Sequence, residues 1–158
     1  MDDLNAIFES AYDRHKYNCS GFVRDAASAL GFRIVGAQAD DQLDFMEQHW
    51  VRLKDGMHAA EVASQSFFVV GGVKSTDYTP ARNHGHVVII HPLPTAELPV
   101  TKADLYRGVY PRAWGGDIGR KYMSTGNKSV GEIFNTRVRD KVRYYTPPQF
   151  GPHTPGYK

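Results

Sequence analysis

Tyr17-Asn18-Cys19-Ser20-Gly21-Phe22-Val23 opens a helix, and the reading of the chain follows from it. Asn18 is a strong N-cap, because its side-chain oxygen accepts from an unpaired first-turn amide. Phe22, Val23, Ala26, Ala27 and Leu30 recur at helical spacing and give the helix one apolar face. Gly31 stands where a left-handed terminating residue is expected. Cys19, the only cysteine of the protein, therefore falls in the first turn, where the helix dipole favours an anion. A free thiol has a pKa of about 8.5, which falls to roughly 3.5–7.5 at a helix N-terminus beside an imidazole. Two readings follow: a nucleophile on a rigid helix, or a small buried hydrophobe.

Upstream, Leu4, Ile7, Phe8, Ala11 and Tyr12 repeat at three and four and predict a helix to about His15. Downstream, Ala39–Trp50 reads as a third helix and Val51–Leu53 as a short edge strand before the Asp55-Gly56 turn. Met57–Ser66 is a small-residue helix able to lie close to a sheet. Phe67–Val73 and His86–Ile90 are central strands by composition. Leu105–Trp114 is a further strand, Asn127–Asn135 a short helix and Lys141–Tyr145 a last strand. Helices followed by strands predict an α+β domain, with helices on one side of an antiparallel sheet. Residues 1–146 form one domain by this reading, and residues 147–158 a proline- and glycine-rich tail.

Composition narrows the function. At 158 residues and 41% apolar content, the chain can build a real core. A net charge of +2 is too small for a nucleic-acid footprint or a polybasic membrane patch. No apolar run approaches the roughly 20 residues that span a bilayer. The acidic start, Met1-Asp2-Asp3-Leu4, is not a secretory signal. A single cysteine excludes an internal disulfide.

A cysteine nucleophile needs a base, and the chain has seven histidines. His86 has the best context, at the mouth of an apolar strand directly after Gly85, which lets backbone approach closely. Its ring would take the thiol proton and later donate it to the leaving amine. The amide of Cys19 itself would face the developing oxyanion. His84 and His86, with His91 or a carboxylate, form an alternative zinc set, although His91 falls on the opposite strand face. The group orienting His86 is not evident: Tyr110 and Arg112 are poor acceptors, and a backbone carbonyl or an Asp or Glu remains open. Asp40, Asp41 and Arg82 are candidate groove-lining residues.

Asn18-Cys19-Ser20-Gly21-Phe22-Val23 and Gly85-His86-Val87-Val88-Ile89-Ile90 resemble the papain-like peptidoglycan amidases of the NlpC and CHAP type. Glu47-Gln48-His49-Trp50, Leu105–Pro111, Lys128–Gly131 and Arg139–Tyr145 extend the likeness to the first family of type VI secretion amidase effectors. The resemblance implies a papain-like NlpC-type domain with N-terminal helices packed on a central antiparallel sheet. It implies Cys19 as nucleophile and His86 as general base and acid, without metal or cofactor. It implies a monomeric toxin that cuts peptidoglycan stem peptides between D-glutamate and meso-diaminopimelate. Made without a signal peptide, the toxin would reach the periplasm of a target cell by type VI secretion. A secretion-tube carrier and a cognate periplasmic immunity protein would be its protein partners, with neither nucleic acid nor membrane involved. Some relatives carry extra cysteines near Pro111–Gly116, absent here, and the loop from His91 to Asp104 is rich in proline. A papain-like protease or deamidase acting on proteins shares the same two residues. A non-catalytic metal-binding module is the remaining alternative.

Overall fold

In the computed structural model, which describes residues 4–92 and 100–148, helices α1 (Leu4–His15), α2 (Cys19–Ala29) and α3 (Ala39–His49) precede the sheet. The chain then runs through β1 (Val51–Leu53), α4 (Gly56–Ser64), β2 (Val70–Val73), β3 (His86–Ile90) and β4 (Arg112–Gly115). It closes with β5 (Ser124–Ser129), α5 (Val130–Ile133) and β6 (Arg143–Thr146). The six strands lie in the order β1-β6-β2-β3-β4-β5, every neighbouring pair antiparallel. This is the α+β arrangement of N-terminal helices on a central antiparallel sheet.

Strand β3 explains the layering. Val87, Val88, Ile89 and Ile90 are all buried, so both faces of the strand need an apolar cover. Val87 and Ile89 meet Phe8 of α1, Phe22 and Val23 of α2, and Leu43 of α3 in one core. Val88 and Ile90 meet Ala59 and Val62 of α4 and Ile133 of α5 in a second core. The expectation of helices on one side is thereby corrected: α4 and α5 close the other face. The small residues of α4 allow this. Ala59, Ala60 and Ala63 are fully or almost fully buried, and Asp55 caps the helix by accepting from His58 N.

Three strand assignments change. The ladder begins at Val70 and not at Phe67, because only Val70–Val73 pairs with β3 and β6. The strand read over Leu105–Trp114 starts only at Arg112 and runs to Gly115. Tyr106 and Tyr110 instead exchange backbone hydrogen bonds across a tight turn with Arg107 and Gly108 at positive φ. Ser124–Ser129, read as loop and helix start, is an edge strand. Its sequence has no apolar alternation, and tertiary contacts hold it: Ser124 Oγ donates to Ala113 O, and Gly126 turns at φ +84° against His91 and Trp114. The proposed tail lies almost entirely outside the described residues, as does most of the proline-rich stretch after His91.

Glycines set the distance between α3 and the sheet. A Cβ on Gly72 would stand 2.8 Å from His86 O and 2.9 Å from Leu43 Cδ2. Gly72→Ala should therefore lower stability by about 1–3 kcal/mol, an overpacking cost. Urea denaturation would read this as a reduced midpoint with an unchanged slope.

Candidate active site

The turn that carries Cys19 is clamped locally. Asn18 Oδ1 accepts from Gly21 N at 3.0 Å, as the N-cap reading requires. Asn18 N donates to His15 O, and Phe22 N to Asn18 O. Ser20 Oγ lies 3.0 Å from both Asn18 Oδ1 and Ala37 O, tying the first turn to the segment before α3. No backbone group among the described residues accepts from the Cys19 amide, so it stays available at the helix mouth.

Two tertiary contacts complete the clamp. Gln42, fully buried on α3, donates through Nε2 to Ser20 O at 3.0 Å and to Gly36 O at 3.2 Å. The loop after β4 comes down on the other side, where Asp117 N donates to Lys16 O at 3.0 Å. Gly116 makes that approach feasible. A Cβ there would sit 2.5 Å from His15 O and 3.0 Å from Asn18 O, displacing the turn that carries the thiol.

His86 is the first residue of β3, opposite Val73 of β2. Gly85 behind it admits no side chain, because its Cβ would collide with Val73 O and lie 2.5 Å from Asp40 Oδ1. The imidazole stands edge-on to Phe134, with ring centroids 5.4 Å apart. Its partner is the partly exposed thiol of Cys19, with which it shares a hydrogen bond. Nε2 is buried and has no hydrogen-bond partner, which leaves Nδ1 as the nitrogen turned to sulfur.

This pairing sets the charge of both groups. Burial pushes the Cys19 thiol up, but the hydrogen bond and positive charge of His86, with the Val87 amide donating to sulfur, bring its pKa below the ordinary value. Burial pulls the His86 ring down. The hydrogen bond to sulfur, the thiolate charge and the nearby Asp117 carboxylate outweigh it and raise the ring above its ordinary value. Both shifts run toward a thiolate and an imidazolium.

The two groups open onto a groove of about 920 Å³. Loop residues Tyr78, Arg82, His84 and Asn135 line it, as do Asp117, Lys121 and Tyr122 from the segment after β4. Of the groove residues expected from sequence, only Arg82 lines it. Asp40 is turned away and accepts from Ser75 N and Ser75 Oγ, while Asp41 is exposed outside the groove. Tyr110 and Arg112, poor acceptors by sequence, do not orient His86: Tyr110 donates its hydroxyl to Asp140, and Arg112 is exposed. Asp117 instead acts on the pair through its charge. Its oxygens accept from Gly119 N at 3.3 Å and Tyr122 N at 2.9 Å. The zinc set does not assemble. His91 Nδ1 accepts from Trp114 Nε1 at 3.0 Å, and no group of three His, Cys, Asp or Glu among the described residues could hold a metal ion.

Sequence reading missed Gln42, Asp117 and Tyr78. Gln42 left a signal, since it occupies an apolar position of α3 beside Ala39, Leu43 and Met46. Asp117 left little, because Gly115-Gly116 reads only as a turn.

N-terminal helices on a six-stranded antiparallel sheet give the fold of a papain-like amidase. No family model matches the chain. Comparison with characterised proteins finds 38% identity over 132 residues with the peptidoglycan amidase Tse1 of Pseudomonas aeruginosa, covering 83% of this chain and 75% of that relative. The chain belongs to the family of that amidase, the first family of type VI secretion amidase effectors.

The charge state of the pair gives a direct test. Iodoacetamide should label Cys19 rapidly near pH 6, where an ordinary thiol with a pKa of about 8.5 is protonated. In His86→Ala the lowering influences of the ring are gone and burial remains, so the labelling midpoint should move above about 8.5. The rate near pH 6 should then drop by roughly tenfold or more.

Proposed function

We propose that this chain is a cysteine amidase that cuts the stem peptide of Gram-negative peptidoglycan. The bond would be the amide between the γ-carboxyl of D-glutamate and meso-diaminopimelate. The observation that carries the reading is the hydrogen-bonded thiol and imidazole at the floor of a groove. Kinship to a peptidoglycan amidase favours the cell wall over a protein substrate.

The chemistry follows from the charge state. The Cys19 thiolate attacks the amide carbonyl carbon, and the oxygen takes up the electron pair as a tetrahedral oxyanion. The unpaired Cys19 amide is the donor positioned for that oxygen. The His86 imidazolium protonates the leaving amine, the carbon–nitrogen bond breaks, and a thioester remains. His86, now neutral, takes a proton from water. The resulting hydroxide attacks the thioester, and a carboxylic acid and the free thiolate are released. No step calls for a metal or cofactor.

As an effector, the protein acts as a monomer in the periplasm of a target cell, delivered on a secretion-tube carrier. A cognate immunity protein would protect the producer by occupying the groove. No helix among the described residues is long and apolar enough to cross a membrane.

Cys19→Ala should reduce release of cleaved stem peptides from purified sacculi by roughly 10³-fold or more, with the glycan strands intact throughout. Liquid chromatography coupled to mass spectrometry would identify the bond from the new termini. An undiminished product profile from the variant would end the proposal.

A further inference from the structure

The walls of the groove carry an arrangement that bond cleavage alone does not require. Arg82 lies over the Tyr78 ring, its guanidinium carbon 4.1 Å from the centroid. Lys121 lies over Tyr122 at 5.3 Å. All four residues line the groove. Just outside, Arg120 repeats the pattern over Tyr17, at 4.4 Å.

Both groove cations are exposed, and neither has an acidic partner among the described residues, unlike Arg14, Arg52, Lys74 and Arg143. The one carboxylate lining the described groove is Asp117, and its oxygens already accept from Gly119 N and Tyr122 N. An aromatic face holds a cation in place without neutralising it and leaves its N–H groups for another acceptor. For a guanidinium, that acceptor is best a carboxylate, which it binds through two parallel hydrogen bonds. Tyr78 also joins the cation to the chemistry, since its hydroxyl feels the charge of both Arg82 and Cys19. The walls of the groove therefore present two cations with no acidic partner among the described residues, beside the reactive thiol.

We propose that Arg82 and Lys121 are carboxylate-binding residues that select stem peptides with free acid groups flanking the scissile amide. Peptides carrying those groups as carboxamides are disfavoured. The inference rests on the peptidoglycan reading above and adds the specificity of the same site. Glutamate keeps its α-carboxylate and diaminopimelate the carboxylate of its far stereocentre, each a few bonds from the cleaved amide, so charge complementarity is available on both sides of it. A carboxamide keeps the shape but loses the charge-assisted hydrogen bonds.

The test compares kcat/KM on two purified muropeptides, one with free carboxylates and one amidated at the same positions. The native protein should prefer the free acid by about tenfold or more, the scale of one hydrogen bond to a charged group. Arg82→Gln and Lys121→Gln should each reduce that ratio by several-fold or more, and raised salt should lower the native ratio. Both side chains are exposed, and iodoacetamide labelling of Cys19 confirms in each variant that the thiolate is intact. Equal cleavage of the two peptides by the native protein would overturn the carboxylate subsites alone. The same holds for an unchanged ratio in both variants. Cleavage of neither peptide would remove the hydrolase reading and this inference with it.

Discussion

The structure depends on a helix N-terminus held against the start of a strand. Asn18 closes the first turn of α2 on Gly21 N, and β3 delivers His86 beside it. Neither element could place its side chain alone. An imidazole at a strand end has many rotamers, and a first-turn thiol has a charge preference but no proton acceptor. Together each stabilises the charged form of the other strongly enough to outweigh burial, which opposes both. The remaining architecture keeps these two termini in register. The apolar stretch of β3 is covered on both faces, so the strand is fixed, while Gln42 and Gly116 hold the cysteine turn from opposite flanks.

How much of this was legible in sequence follows from where the determinants lie. The N-cap of α2 is local: an asparagine reaches an amide three residues on, and no distant group is needed. The apolar character of Val87–Ile90 is local as well, and it announces a buried strand. Cys19 and His86 could thus be singled out as residues at the ends of well-marked elements. Their mutual approach was supplied by family resemblance and not by spacing, since nothing in a separation of 67 positions encodes a distance.

What stayed hidden was tertiary. Asp117 influences the pair because Gly116 lets its loop slide under His15 O, a closeness that a Gly-Gly turn does not reveal. Strand β5 is Ser-Thr-Gly-Asn-Lys-Ser, and only its pairing with β4 makes it a strand. The second core was partly visible, because the small residues of α4 signalled close packing. The need to cover the far face of β3 follows from its unbroken apolar run, which fits a doubly buried strand better than a half-exposed one.

The two rims of the sheet have a consequence for how copies of this molecule meet. One rim, β1, is three residues long, and the other, β5, is polar, irregular in register beside Ala113 and Trp114, and bent at Gly126. Neither offers the long flat row of amides and carbonyls on which a foreign strand could template itself. A protein built this way can be concentrated in a confined space without its sheets fusing edge to edge, and contact between molecules falls to side chains on the loops and helices.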